Sequence, residues 1–192
     1  NYWLTNKSLV GDGSNIRPPP YAIVLSGVPG CGKSHANIPM LIDLLIATQG
    51  LDKAEDIRRN TGKYIYARNH ETQYWDGYFN QPVCVFDDFL QKKDSSSDGD
   101  NEVMNIIRAV GTFPYMLHSA SIEDKGNSYF TSRIIFATTN DPTLTSNSIR
   151  CNKALYRRFH TKIHVNVKPE YVYGNGTPNP LAVDPVKVAK AF

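Results

Sequence analysis

From Tyr21 onward, short unbroken apolar runs alternate along the chain with stretches in which apolar residues recur at helical spacing. Runs with no polar face suit strands buried on both sides, and parallel strands need the crossover helices that the intervening stretches supply. The pattern predicts strands at Ala22–Ser26, Lys63–Arg68, Val83–Asp87, Arg133–Thr139 and Lys162–Val167, and helices at Lys33–Thr48, Asn101–Val110 and Asn152–Phe159. Such an order gives an α/β domain, a central parallel sheet flanked by helices on both faces.

The regions outside this alternation read differently. Residues 1–20 are polar and rich in Gly and Pro, and end in Pro18, Pro19 and Pro20, which cannot enter a sheet interior, so they read as a lead-in or linker to a core spanning 21–168. The tail, 169–192, starts as a loop broken by Gly and Pro, and its last residues begin a helix that the chain end truncates. The run QKKDSSSDGDNE, from Gln91 to Glu102, is rich in Ser and Asp and reads as a mobile loop. There is no internal repeat.

Composition narrows the class. The 192 residues suit one compact domain, and a hydrophobic fraction of 41% is ordinary for a globular protein. No apolar run approaches the roughly 18 residues that a membrane span needs; even MLIDLLIA is broken by Asp43, so the expectation is a soluble domain. The chain begins at Asn1 without a methionine and has no basic-plus-apolar leader, which points to a fragment or processed product. Cys31, Cys84 and Cys151 lie far apart with no CxxC spacing, as expected of free thiols in a reducing compartment rather than a zinc site. A net charge of +3 is too small to argue nucleic-acid binding by itself.

The junction of the first strand and first helix carries the sharpest chemistry, GVPGCGKS from Gly27 to Ser34. Gly27, Gly30 and Gly32 let the backbone turn tightly, so that successive N–H groups, including those of Val28, Pro29's neighbours and Cys31, converge on phosphate oxygens. The following helix, entered through Lys33, Ser34 and His35, adds the positive end of its dipole. Lys33 reaches the β- and γ-phosphates and the Ser34 hydroxyl binds Mg²⁺. The pattern GxxxxGK[ST] arises by accident in about one chain of this length in a hundred. Gly27 through His35, with Val28, Pro29 and Cys31 among them, are therefore assigned to nucleotide binding, with ATP or another nucleoside triphosphate and Mg²⁺ as the expected ligands.

Hydrolysis needs a held metal and an oriented water. The run PVCVFDDF delivers Asp87 and Asp88 to the carboxyl end of a buried strand, where open α/β sheets bind ligands. Asp87 would hold Mg²⁺ through water and Asp88 would orient or deprotonate the attacking water; alone, such a pair also serves as turn acids capping the next element. Asn140, closing RIIFATTN, can donate to the γ-phosphate without adding charge, although an isolated Asn before Asp-Pro is a common turn former. In ALYRRFHTKIHVNVK, Arg157 and Arg158 stand together with no acid between Arg150 and Lys168. They read equally well as a guanidinium offered across a subunit boundary to transition-state charge, or as a solvated or RNA-facing basic patch.

In their order these motifs resemble the superfamily 3 helicases, most closely the helicase-like ATPase of picornaviruses and picorna-like viruses. GVPGCGKS looks like motif A, VCVFDDF like motif B and FATTN like motif C; WDGY (Trp75 to Tyr78), IEDKG with FTS, and ALYRRF are further matches, and together they span Tyr21 to Val167. The resemblance implies a P-loop NTPase of AAA+-like build that assembles as a homo-oligomer, a hexameric ring in the full-length protein. It also implies Lys33 and Ser34 on triphosphate and Mg²⁺, Asp87 and Asp88 as magnesium and water carboxylates, Asn140 as γ-phosphate sensor, and Arg157 and Arg158 as fingers reaching a neighbour's nucleotide. Implied partners are single-stranded RNA and other viral replication proteins, at membrane-associated replication complexes in the host cytoplasm. Membrane contact would come only through segments this chain lacks. SIEDKGNSYFTS falls where the family places a pore-facing loop, so Lys125, beside Gly126, is the expected contact to a nucleic-acid backbone, with a plain hairpin turn as the alternative; Tyr129 and Phe130 read as core. The cysteine-rich zinc element of the picornaviral members is missing, and the QKKDSSSDGDNE loop is long for the family.

The leading functional expectation is thus an NTP-driven motor that moves on or remodels RNA during viral genome replication. A nucleotide-gated RNA chaperone or replication-complex scaffold shares every residue above and differs only in what hydrolysis drives. The helicase domain of a single-stranded DNA virus replication protein carries a similar WDGY and DDF, but not EDKG followed by FTS and ALYRRF.

Overall fold

Five strands, β1 (Tyr21–Ser26), β2 (Ile65–Ala67), β3 (Val83–Phe86), β4 (Ile134–Thr139) and β5 (Thr161–His164), lie in the order β2-β3-β4-β1-β5. Every neighbouring pair is parallel, with Ile23 opposite Phe136 and Val85 opposite that same Phe136 from the other side. The structure is a computed structural model and describes residues 16–69, 71–91, 101–118, 128–177 and 179–190.

The two faces of the sheet carry separate cores, as the period of two along each strand dictates. Ala22, Val24, Cys84, Phe86, Ile135 and Ala137 point to one side, under helix α4 (Glu102–Ala109) and Leu155 of α5 (Asn152–Tyr156). Ile23, Leu25, Val83, Val85, Ile134 and Phe136 point to the other, under α1 (Lys33–Gln49), α2 (Ala54–Arg59) and α3 (Thr61–Tyr64). Full burial of both faces explains why the strands read as unbroken apolar runs. The chain is therefore an α/β domain of P-loop NTPase type.

Several boundaries differ from the sequence expectation. The strand expected at Lys63–Arg68 is reduced to Ile65–Ala67, because Lys63 and Tyr64 complete the short helix α3, where both donate to Asp56. The helix expected to reach Phe159 stops at Tyr156, which frees Phe159 to enter the core beside Phe89. The last strand is Thr161–His164 rather than Lys162–Val167; Val165 N still donates to Ser26 O at 2.7 Å, and there β1 ends. Helices α2 and α3 were not anticipated. The helix expected within the tail is α6 (Pro185–Ala189), whose first turn is capped by Asp184 accepting from Val186 N and Lys187 N.

The further motif words meet in one aromatic cluster. Trp75, Tyr78, Tyr115 and Phe130 are all buried, with Tyr78 stacked on Phe130 at 5.7 Å and Trp75 edge-on to Phe86 at 6.2 Å. The Tyr78 hydroxyl accepts from Thr131 N at 2.7 Å and Ser132 N at 2.9 Å, which fastens WDGY to FTS. Arg17, from the lead-in, lies over the Phe130 ring and donates to Ala109 O at 2.7 Å, so this part of the lead-in closes the end of α4 rather than acting as a free linker. Burial lowers the Arg17 pKa.

Candidate functional site

β1 ends at Ser26, and the chain turns through Gly27–Gly32 into α1, whose N-cap is Gly32 in the left-handed conformation at φ 94° with no side-chain cap. The first-turn N–H groups are thus left without a side-chain acceptor, the arrangement that suits an anion. Two of the glycines are required by different constraints. A Cβ on Gly27 would stand 2.6 Å from Val165 O, so this position is glycine because the loop passes tightly over the end of β5. Gly30 has φ +78°, and its Cβ would stand 2.9 Å from the Cβ of Ala182 in the tail.

Lys33 is 7% exposed, and its ammonium is saturated. Nζ donates to Gly27 O at 2.7 Å, Val28 O at 3.1 Å and Asn140 Oδ1 at 2.7 Å. Three donors matched by three acceptors hold the loop in its bent form and tie it to the end of β4. Cys31, within the loop, is a buried free cysteine.

The acids follow β3, next to β4. The Thr138 hydroxyl donates to Asp87 Oδ1 at 2.5 Å and accepts from Asp88 N at 2.9 Å, and Phe89 N donates to Thr138 O at 2.7 Å. One buried threonine therefore holds the Asp87 carboxylate and the backbone of Asp88. Asp88 is left-handed, at φ 51°, a conformation uncommon outside glycine that redirects the chain at the sheet end. Beyond Asn140, Asp141 receives both N–H and O–H groups of Thr143 and Thr145 at 2.5–2.8 Å. Burial works against its charge, but these bonds hold the Asp141 pKa below its ordinary value.

Gly30, Lys33, Ser34, His35, Asp88 and Asn140 converge on a cleft of about 830 Å³. Asp87 is exposed beside it at Thr138 rather than on its wall. Arg157 is exposed and Arg158 half-buried with an unpartnered Nε, and neither lines this cleft. Lys125 lies outside the described residues, as does most of the Ser- and Asp-rich run; Met116 and Tyr129 pair in an antiparallel bridge. Phe130 is core, as expected, and Tyr129 is half-buried.

Sequence reasoning missed Thr138 and three tail residues on the cleft wall, Tyr173, Val183 and Pro185. The one local signal for the tail was Asp184 followed by Pro185, a helix start by capping residue and first-turn proline. Among the described residues there is no group of three or more His, Cys, Asp or Glu fit to hold a metal on protein ligands alone, and no helix long and apolar enough to cross a membrane.

A family model described as RNA helicase matches residues 23–141, from β1 to just past Asn140. The replicase polyprotein of Acute bee paralysis virus (strain Rothamsted) is 39% identical over 83% of this chain, and that of Cricket paralysis virus 35% identical over 83%. The genome polyprotein of Human klassevirus 1 is 32% identical over 86%. The chain spans only 8%, 9% and 6% of the length of these three polyproteins.

Proposed function

The chain belongs to the RNA helicase family, as the superfamily 3 domain of picorna-like virus replicases, and from that premise we propose that it hydrolyses a nucleoside triphosphate, ATP foremost, to move on or remodel RNA during genome replication. The observation that carries the reading is the bond from Lys33 to Asn140 on a cleft shared with Ser34 and Asp88. A phosphate-binding cation, a neutral donor and a carboxylate thereby face one volume.

The division of work follows from the side chains. Loop N–H groups bind the β- and γ-phosphates together with Lys33, whose ammonium exchanges its loop carbonyl partners for phosphate oxygens. Asp88 orients the attacking water and takes its proton as the oxygen bonds to the γ-phosphorus and the bond to the β-phosphate bridging oxygen breaks. Asn140 donates to the γ-phosphate. The Ser34 hydroxyl and Asp87 would hold Mg²⁺; few protein ligands beside substrate phosphates is the usual pattern for this ion, which neutralises phosphate charge when bound. Arg157 and Arg158, away from their own cleft, are assigned to a neighbouring subunit's nucleotide in a ring, and Lys125 to RNA phosphates. The setting is the host cytoplasm at replication complexes containing other viral proteins.

Strand displacement on RNA and DNA duplexes, run beside RNA-stimulated ATPase in a longer form of the protein, tests the proposal. ATP-dependent displacement of RNA is expected. Turnover without displacement would instead mean a nucleotide-gated chaperone or scaffold, and displacement of DNA alone would favour a DNA replication protein.

A further inference from the structure

Tyr173, Val183 and Pro185 form a part of the cleft wall that phosphate chemistry does not use. They belong to a folded tail, not a loose one. Val172 and Val183 pair in an antiparallel bridge, Tyr173 N donates to Ala182 O at 3.2 Å, and Asp184 N donates to Tyr171 O at 2.7 Å. This small unit is fastened directly to the phosphate loop. Val183 N donates to Gly30 O at 3.0 Å and Asn179 Nδ2 to Pro29 O at 2.5 Å. Ala182 packs where a side chain on Gly30 would otherwise stand.

Tyr173 is 43% exposed. An aromatic side chain on a braced backbone, open to a cleft whose far residues suit phosphates, has the properties of a stacking surface. We infer that Tyr173, backed by Val183 and Pro185, is the platform for the base of the nucleotide whose phosphates Lys33 and Ser34 hold. This rests on the nucleotide reading given above. The face of an aromatic ring, an isopropyl group and a pyrrolidine present no hydrogen-bonding code for base edges, and stacking tolerates every base because each has a π face. The site accordingly accepts all common nucleoside triphosphates, the purines ahead of the pyrimidines through greater overlap.

Calorimetric titration of the chain with Mg²⁺ and either ATP or inorganic tripolyphosphate tests this in wild type, Tyr173→Ala and Tyr173→Phe, each first checked for folding by circular dichroism. In Tyr173→Ala, ATP affinity falls about tenfold, the order expected on losing one aromatic–base stack, while tripolyphosphate affinity holds and Tyr173→Phe stays within about twofold of wild type. Unchanged ATP affinity in Tyr173→Ala, or an equal loss for both probes, overturns the platform and leaves the phosphate site standing. Failure of wild type to bind either probe overturns the phosphate site itself. GTP binding within about tenfold of ATP supports recognition by the π face; discrimination of about 10⁴ or more would reveal an edge-reading site and overturn it.

Discussion

Lys33 Nζ donates to Asn140 Oδ1 across 2.7 Å, joining residues 107 positions apart. An ammonium offers only donors, so the amide oxygen must face it and the amide nitrogen must face away. The bond therefore fixes which end of Asn140 is left to meet a phosphate.

Asn140→Ala should lower kcat about 10²-fold with ATP affinity nearly kept, since it removes a donor aimed at charge that develops in the reaction. Asn140→Asp should behave differently. A carboxylate against Lys33 neutralises the ammonium and sets negative charge beside the γ-phosphate, weakening ATP binding at least about tenfold. Steady-state turnover beside equilibrium titration separates the two; identical behaviour would remove Asn140 from the phosphate contact.

Gly30 and Gly32 both have positive φ, at +78° and +94°, yet only Gly30 has a neighbour in the way. Gly32→Ala should cost about 1–2 kcal/mol of stability from backbone strain alone. Gly30→Ala should cost more and also loosen the tail, seen as faster hydrogen exchange at Val183 N. Adding Ala182→Gly to Gly30→Ala should return part of the loss, because it removes the atom that the new methyl meets. No return would mean that the contact is not what couples loop to tail.

Arg157 and Arg158 stand away from the cleft of their own chain. In the ring assembly proposed above, Arg158→Ala and Asp88→Asn should each suppress hydrolysis while leaving ATP binding intact. Mixing the two should restore part of the activity, because some interfaces then pair an intact acid with an intact arginine. Mixtures as inactive as their components would point to a basic patch for RNA instead.

Tyr78→Phe should destabilise the domain by about 2 kcal/mol, since Ser132 N, which is buried, and Thr131 N, which is partly buried, lose their acceptor. For a domain of this size that is a fall in Tm of about 4–8 °C. A shift under about 1 °C in a thermal melt would mean that water replaces the hydroxyl.

Most of the sheet was legible because β1, β3 and β4 are buried on both faces and so read as apolar runs. Asp88 and Asn140 were legible because each sits one or two residues past such a run. The edges were not. Apolar residues continue past His164 at Val165 and Val167, but the partner strand runs out where Ser26 gives way to the phosphate loop, and no pattern in β5 itself records that. Helices α2 and α3 bury only Ile57 and Tyr64, too few positions to establish a helical period. The tail is held through Asn179 and Pro29, 150 residues apart, a contact that local reading cannot reach. Thr138 stayed hidden for another reason: inside FATTN it is one more strand residue, and only the register of β3 against β4 makes it the hinge of two acids.

The Phe89 and Phe159 rings lie 6.2 Å apart in the core, one directly after the two acids and the other directly after the two arginines. In the ring assembly proposed above each carboxylate–arginine pair would be divided between subunits, but inside one chain the two halves share one foundation. A substitution that shrinks one of these two side chains leaves a void against the other, so the proposed acid side and the proposed arginine side are coupled through the core.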